Sequence, residues 1–468
     1  MKLTKKEIKK LQENLGYKTK HAYDVLKVKE KKTVTKFCND YKKFLDAAKT
    51  EREAVEFIRK EAERHGFKDA SKYSHDRMYK VNKNKTIALT VLGHNNPVTG
   101  GINIIGSHID SPRLDLKQKP LFESHNLTYL KTHYYGGIKK YQWLNIPLAI
   151  HGVLFRKDGT KVEINIGERD ADPVFVIADL LPHLSQDQYG STVRKAFPAE
   201  KLSVLVGSLP VGDDKTDNRF KLAVLHHLSF EYNIIEEDFI GADIELVPAQ
   251  KARDVGFDRG LIGAYGHDDR ICAYTSLRAI LELGTPSTTA MALFVDKEEI
   301  GSDGNTGAKS HFMCDFISDI LCTRKVTTER DLRKCLLNSR ALSADVTAGL
   351  NPDHADQHEI NNAAILNHGI CIGKSGGAGK YHSNDTNAEF LSQIRVALNK
   401  DNVLWQTGSL GKLEKGGGGT IAVYLAVYGM EVLDCGPALL SMHSPMEIAS
   451  KADTYMSYKA FKTFYDMV

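Results

Sequence analysis

The 468-residue chain lacks long apolar runs, and none approaches the roughly 20 residues that a membrane-spanning helix needs. Its start, MKLTKKEIKKLQENLG, carries charges but no apolar segment of the kind that a secretory signal requires. The seven cysteines are odd in number and form no Cys-x-x-Cys pair, which argues against a disulfide framework. These absences predict a cytoplasmic protein with no membrane partner.

Net charge is also small, +4 at pH 7, which gives little reason to expect a polyanionic partner. Many lysines lie near the start of the chain, but acidic residues are interleaved with them and no aromatic stacking platform accompanies them. We therefore expect a solvated helical face there and no nucleic-acid partner. The Gly-x-Ser-x-Gly turn that holds a serine nucleophile in α/β hydrolases is absent as well.

The chain is too long for one small core, so two domains, or one domain with an insertion, are expected. Residues 37–66 have apolar residues at helical spacing, and Thr50 and Glu53 form a capping box. The runs 86–92 and 102–105 favour strands, as in an α/β domain.

Between these elements and residue 241 the pattern changes to short alternating segments separated by Gly, Asp and Pro clusters, which is typical of antiparallel β structure. Strand-then-helix alternation then returns. We therefore predict an α/β fold with a mixed central sheet flanked by helices, formed by residues 1–116 and 241–468. An inserted β-rich domain would comprise residues 117–240.

His108 and Asp110 form a His-x-Asp pair in GSHIDSPR, at the end of a predicted strand. A histidine can bind a metal through one ring nitrogen while a carboxylate orients the ring through the other. Asp268 and Asp269, in GHDDRICA, open a predicted helix, where a single Asp would be an ordinary N-cap. Two adjacent carboxylates repel each other unless cations lie between them, and one carboxylate can bridge two metals.

Glu298 and Glu299 follow a hydrophobic strand in ALFVDKEEIGS. An irregular strand end can give adjacent glutamates two roles, one binding a metal and the other accepting a proton from water. Asp345 ends another apolar run, and His443 lies in SMHSPMEIA before a predicted helix that starts at Ser444. Another predicted strand covers residues 420–428.

Apart from the glutamate pair, whose place behind a hydrophobic strand favours function, each of these residues alone is more often structural than functional. An open α/β sheet, however, gathers the carboxyl ends of its parallel strands at one edge, which would bring such residues together. The sequence therefore predicts a metal site at this edge.

The motifs GSHIDSPR, DDRICA, DKEEIGS, SADV and SMHSPME together resemble the M18 family of metallo-aminopeptidases, the aspartyl-aminopeptidase-like family, in a bacterial form. The resemblance covers essentially the whole chain. It implies a co-catalytic pair of zinc ions, which cobalt or manganese could replace. The implied metal ligands are His108, Asp268, Glu299, Asp345 and His443, with Asp268 as the bridge. Glu298 would be the general base, and Asp110 would orient His108.

The resemblance also implies peptide substrates and a homo-oligomer in which the inserted domain forms dimers that build a tetrahedral dodecamer. His183, in Leu-Pro-His-Leu, would reach a neighbouring subunit's active site. Lys374 and Tyr381 would contact substrate. Two departures bear on specificity: Ala348 stands where the family often has a histidine, and Asp269 where asparagine is common. We therefore expect neutral N-terminal residues to compete with acidic ones.

The mechanism that these residues imply is hydrolysis of the first peptide bond, with Glu298 taking a proton from a zinc-activated water and delivering it to the leaving amine. One alternative is an M20-type dinuclear zinc carboxypeptidase or deacylase, which shares His-x-Asp and paired glutamates. In that type the extra domain comes later in the order of ligands. The other alternative is a non-catalytic, shell-forming scaffold, against which the intact base and ligands argue.

Overall fold

The computed structural model describes residues 3–376, 384–412 and 418–467. In chain order the strands within these ranges are β1 (Lys68–Asp69), β2 (Arg77–Asn82), β3 (Thr86–Val91), β4 (Ile102–His108), β5 (Arg113–Ser124), β6 (Leu127–Tyr135), β7 (Leu148–Phe155), β8 (Lys161–Ile166), β9 (Ser203–Gly207), β10 (Asp243–Pro248), β11 (Arg253–Val255), β12 (Leu261–Ala264), β13 (Thr289–Val295), β14 (Arg340–Ala344), β15 (Thr347–Ala348), β16 (Ile370–Gly373), β17 (Trp405–Thr407), β18 (Glu431–Gly436), β19 (Ala438–Leu440) and β20 (Glu447–Ser450).

Helices lie between and beyond these strands, apart from short 3₁₀ turns. In the same ranges the α-helices are α1 (Lys5–Leu15), α2 (Ala22–Val25), α3 (Val28–Ala47), α4 (Glu51–Arg64), α5 (Pro97–Gly100), α6 (Gln186–Tyr189), α7 (Val193–Ala196), α8 (Arg219–Tyr232), α9 (His267–Leu281), α10 (Phe312–Thr323), α11 (Glu329–Asn338), α12 (Ala388–Lys400), α13 (Ala422–Ala426) and α14 (Lys451–Tyr465).

The central sheet has the strand order β1-β2-β3-β13-β4-β14-β18-β16-β17. Strands β13, β4, β14 and β18 run parallel to one another, whereas β3 and β16 run antiparallel to their neighbours β13 and β18. The mixed central sheet that the sequence predicts is therefore confirmed. Because the four parallel strands share a direction, their carboxyl ends lie along one edge, and this edge carries the site.

Helices cover both faces of this sheet, which explains why β4 and β13 are buried at every residue. Alternate residues face opposite hydrophobic clusters: Ile105 packs on the side of α3, α9 and α14, and Ile104 packs on the side of α10 and α11. Because successive side chains of a strand point to opposite faces of the sheet, one apolar run contributes residues to both cores.

A second sheet of six antiparallel strands has the order β8-β7-β10-β5-β6-β9. It begins at Arg113, just beyond the His-x-Asp pair, and its last strand in sequence, β10, ends at Pro248. We call it the inserted sheet. The division of the chain at residues 116 and 240 into separate domains stays a prediction. A third sheet, β11-β12-β20-β19-β15, lies beside the central one and brings the last part of the chain to the site.

Three local predictions are wrong. Residues 37–66 form two helices rather than one, since α3 ends at Ala47 and α4 begins after its N-cap Thr50; the Thr50 capping box itself is confirmed. The predicted strand 420–428 contains the helix α13, because Ile421 and Leu425, four residues apart, pack as a helical face against the core. The helix predicted from Ser444 is replaced by strand β20.

Among the described residues, no helix combines the length and the apolar character needed to span a bilayer.

Candidate active site

The Asp268 carboxylate lies at the centre of the site. Its Oδ1 atom is 3.0 Å from Nε2 of His108, and its Oδ2 atom is 3.1 Å from Nε2 of His443. The residue lies at the start of α9 in non-helical conformation, and Ser111 donates a hydrogen bond to its carbonyl oxygen. One carboxylate therefore faces a different histidine with each of its oxygens.

His108 is the last residue of β4 and is fully buried. Its Nδ1 atom lies 3.0 Å from the Asp110 carbonyl oxygen and 3.3 Å from the Asp110 carboxylate, so Nδ1 is the protonated donor. Its Nε2 atom is also 3.9 Å from oxygens of both Glu298 and Asp345. With Nδ1 held by Asp110, Nε2 faces a group of carboxylates.

Glu298 and Glu299 form a 3₁₀ turn directly after β13. Their backbone N–H groups donate to the two carboxylate oxygens of Asp110, each at 3.2 Å. The turn breaks the strand geometry, so the two side chains reach different neighbours: Glu298 lies near His108, and Glu299 lies 3.3 Å from Nε2 of His443. The irregular strand end that the motif predicts is therefore present in the structure.

His443 lies in the segment between β19 and β20, where Glu447 determines its position. One oxygen of the buried Glu447 carboxylate accepts the His443 N–H at 2.6 Å, and the other accepts the Asp268 N–H at 3.0 Å. Glu447 therefore ties the third sheet to the start of α9, a role that replaces the helix cap expected from the sequence. The Nδ1 atom of His443 donates to the Gly137 carbonyl at 2.8 Å.

The electrostatics of the site favour a positive charge. Burial raises the pKa of Glu298 to about 7 and raises those of Glu299 and Asp345 well above their ordinary values. Burial alone would lower the pKa of His443, but its hydrogen bond to Asp268 and the nearby carboxylates raise that pKa to about 10. The carboxylates repel one another, but the surrounding fold holds them close together despite this repulsion.

These residues fit zinc. The described part of the chain has two groups of three residues whose ligand atoms all lie within 4.8 Å of one another. One group is His108, Asp268 and Glu299, and the other is His108, Glu298 and Asp345. Oε1 of Glu299 is buried, accepts no hydrogen bond and lies 3.3 Å from Nε2 of His443, as a ligand atom awaiting a cation would. Imidazole nitrogens with carboxylate oxygens are ordinary zinc ligands.

Asp269 has a different environment from Asp268. It is fully buried, and burial raises its pKa well above the ordinary value. It belongs to neither set of metal-ligand atoms found among the described residues. This geometry supports Asp268, rather than Asp269, as the bridging carboxylate.

A cavity of about 380 Å³ opens beside the carboxylates. Its wall includes Val346, Leu410 and Met442, so a substrate side chain would meet apolar groups next to Asp268 and Glu298. The cavity is the natural place for a substrate because binding pockets combine apolar lining with a few placed polar groups.

The three predicted substrate residues differ in their surroundings. Lys374 pairs with Asp385 at 2.7 Å and is half exposed, while its neighbours Gly373 and Ser375 line the cavity. His183 is exposed, in a 3₁₀ turn of the segment between β8 and β9. Tyr381 lies outside the described residues.

Sequence reasoning missed Glu447, Tyr135 and Gly137, all of which contact the candidate ligand residues or Asp110. For Tyr135 and Gly137 a signal exists in retrospect. The run Tyr-Tyr-Gly-Gly follows an alternating strand segment, and paired glycines at a strand end mark a close backbone approach. Nothing in the sequence alone indicated that Tyr135 would donate a hydrogen bond to Asp110.

The family profile described as "Aminopeptidase I zinc metalloprotease (M18)" matches residues 44–465. The chain belongs to the M18 family. It is 48% identical over 449 residues to "Probable M18 family aminopeptidase 1" of Borreliella afzelii, covering 94% of this chain and 98% of that protein. The protein is accordingly an M18 zinc aminopeptidase, a metallopeptidase of the hydrolase class, as the motifs predict.

Solved M18 structures have the same fold. The crystal structure of the M18 aminopeptidase from Thermotoga maritima superposes with a TM-score of 0.93 at 44% identity, covering 97% of this chain and 100% of that chain. The structure of the S. cerevisiae mApe1 dodecamer has a TM-score of 0.73 at 21% identity, covering 91% and 95%, and shows likeness of fold alone.

Metal removal should destabilise this M18 enzyme. A metal that binds only the folded state stabilises it, by about 4 kcal/mol at a thousandfold excess over Kd. Stripping zinc with a chelator should therefore lower the midpoint of thermal unfolding and abolish peptide hydrolysis, and added zinc should restore both.

The Asp268→Ala variant is the matched control for this experiment, because its unfolding midpoint should not respond to the chelator. If the wild-type midpoint is the same with and without chelator, the buried carboxylates do not hold a stabilising metal.

Proposed function

We propose that this M18 aminopeptidase releases N-terminal residues from peptides with a dinuclear zinc site and Glu298 as general base. The observation that carries the proposal is the position of Asp268, whose two oxygens lie 3.0 and 3.1 Å from the Nε2 atoms of two different histidines. A carboxylate in this position can bridge two metals, each of which also has a histidine ligand.

The other ligands divide between the same two histidines. Asp345, 3.9 Å from His108, would complete one zinc site together with Asp268. Glu299, 3.3 Å from His443, would complete the other. Zinc bound there supplies Lewis acidity, which lowers the pKa of water and stabilises negative charge on the scissile carbonyl oxygen.

The Glu298 carboxylate accepts a proton from the attacking water and delivers it to the leaving amine. Its place supports this role: it lies beside His108 and lines the cavity, and its backbone N–H is held by Asp110. The carboxylates around the cavity favour a cation, so the free ammonium group of a peptide N-terminus suits this site. This preference would restrict the enzyme to aminopeptidase activity.

The proposal extends to assembly in the cytoplasm as a homo-oligomer, with dimers that build a tetrahedral dodecamer. The mApe1 of S. cerevisiae, which shares the fold, forms a dodecamer, and the proposed assembly is consistent with it. His183 would then act in the active site of a neighbouring subunit. Its neighbours Leu181 and Leu184 are 50% and 66% exposed, as expected for apolar side chains that a partner subunit covers.

Glu298→Gln should lower kcat by about a hundredfold or more, because the amide cannot accept the proton, while both zinc ions remain bound. The measurements are steady-state hydrolysis of aminoacyl chromophores and elemental analysis of zinc in the same preparations. Glu389→Gln, at an exposed position of α12, is the matched control and should retain wild-type values. Loss of zinc together with the rate would instead make Glu298 a ligand and Glu299 the base.

Selectivity should be broad. The cavity wall includes the apolar residues Val346, Leu410 and Met442, Ala348 offers no polar group, and pairing with Asp385 weakens, without abolishing, the attraction of Lys374 for an acidic side chain. Leu and Met substrates should therefore have kcat/KM values comparable with those of Asp and Glu substrates. Lys374→Ala should lower kcat/KM for the acidic substrates alone, by about tenfold, since one charge-assisted contact is worth about 1.5–3 kcal/mol.

The measurement is kcat/KM across a panel of aminoacyl substrates for the wild type and Lys374→Ala. A wild-type preference for Asp or Glu beyond about a hundredfold, or roughly 2.7 kcal/mol, would show that the cavity selects acidic residues despite Ala348.

A further inference from the structure

The inserted sheet reaches the metal site at the end of β6. Tyr135 is the last residue of that strand, and its hydroxyl donates a hydrogen bond to Oδ2 of Asp110 at 2.8 Å. Two residues later, the Gly137 carbonyl accepts a hydrogen bond from Nδ1 of His443, also at 2.8 Å. We call residues 135–137 the arm.

We propose that the arm positions both histidine ligands: Tyr135 acts through Asp110 on His108, and the Gly137 carbonyl acts on His443. The proposal rests on the dinuclear zinc site proposed above. It assigns to the inserted sheet a part in building the metal centre. Tyr135 is a positioning residue, since it contacts neither the substrate nor the metal ligands directly.

The Tyr135 contact fills a specific place on Asp110. The Asp110 carboxylate is fully buried and accepts the N–H of Glu298 with one oxygen and the N–H of Glu299 with the other. The Tyr135 hydroxyl adds a third donor, on the Glu299 side. Asp110 in turn lies 3.3 Å from Nδ1 of His108, so a shift of this carboxylate would turn the ring and its metal-binding nitrogen.

The ring of Tyr135 is itself held in place. The Arg113 guanidinium lies 3.9 Å from the ring centroid, in a cation–π contact. Arg113 is paired with Asp115 at 2.8 Å and with Glu245 at 3.0 Å, both on strands of the inserted sheet. A buried ion-pair network therefore fixes the direction of the hydroxyl, which an isolated tyrosine on a mobile loop could not do.

The Gly137 contact selects the tautomer of His443. Because Nδ1 donates to the carbonyl, Nε2 is the nitrogen left to bind a metal, and it faces Asp268 and Glu299. A Cβ atom at Gly137 would lie 3.2 Å from Nδ1 of His443, which is closer than an ordinary contact, so a larger residue would push the His443 ring by a few tenths of an ångström. Gly136 turns the chain between the two contacts with φ of +70°, which other residues rarely adopt.

Removing a partner that orients a metal-binding histidine lowers metal affinity or activity by about 10- to 100-fold in zinc proteins. Tyr135→Phe deletes only the hydroxyl and should weaken the binding of one zinc by about that factor. Gly137→Ala should displace His443 and weaken the other zinc by a similar factor. Tyr134→Phe makes the same chemical change at the preceding, 49% exposed residue and should bind zinc like the wild type.

The experiment uses the full-length protein in its native assembly. Zinc affinity is measured by competition with a chromophoric chelator, and the visible absorption spectrum is recorded after substitution with Co²⁺, which reports the ligand geometry. We expect a changed cobalt spectrum in both arm variants and a lower kcat at unchanged KM. Circular dichroism and size-exclusion chromatography check that each variant is folded and assembled.

The positioning role of the arm would be overturned if folded Tyr135→Phe had wild-type zinc affinity and an unchanged cobalt spectrum. If Tyr135→Phe does not fold, the same result in folded Gly137→Ala would overturn it. Failure of the proposed function gives a different result, because the wild type itself would then not bind a second zinc. The two failures are therefore distinguishable in the same titration.

Discussion

The Asp268 carboxylate lies between Nε2 of His108 and Nε2 of His443, at 3.0 and 3.1 Å, and the rest of the site is arranged to keep it there. The arrangement is costly, since Glu298, Glu299 and Asp345 are confined beside it and buried carboxylates repel each other. A pair of divalent cations would reverse that cost. The same crowding that would destabilise an ordinary core therefore suits the proposed metal-binding site.

Three sheets contribute residues to the site around this carboxylate, and each supplies a different part. The parallel strands of the central sheet carry His108, the two glutamates and Asp345 to one edge. The third sheet supplies Glu447, which accepts the backbone N–H groups of Asp268 and His443. The inserted sheet supplies Tyr135 and Gly137. The inserted sheet begins directly after the His-x-Asp pair in the chain, which is consistent with a role in positioning the histidine ligands.

Much of this site was predictable because its residues follow apolar strands, and parallel strands end at a common edge. The motif around Glu298 shows this best, since a buried strand ending in two adjacent carboxylates has few structural explanations. Long-range partners were not predictable. Tyr135 meets Asp110 only because two strands of the inserted sheet pair in a particular register, which no local pattern specifies. Glu447 has the spacing of a helix cap, but pairing of β20 with β12 overrides that local preference.

The zinc content of the wild type and of Asp268→Ala tests the central claim most directly. Both proteins would be saturated with zinc, freed of loosely bound metal and compared by elemental analysis, with Asp269→Ala as the neighbouring control. Two zinc ions per subunit in the wild type and none in Asp268→Ala is the predicted result. If Asp268→Ala keeps one zinc while Asp269→Ala loses both, the bridge is Asp269 and the account given for Asp268 is wrong.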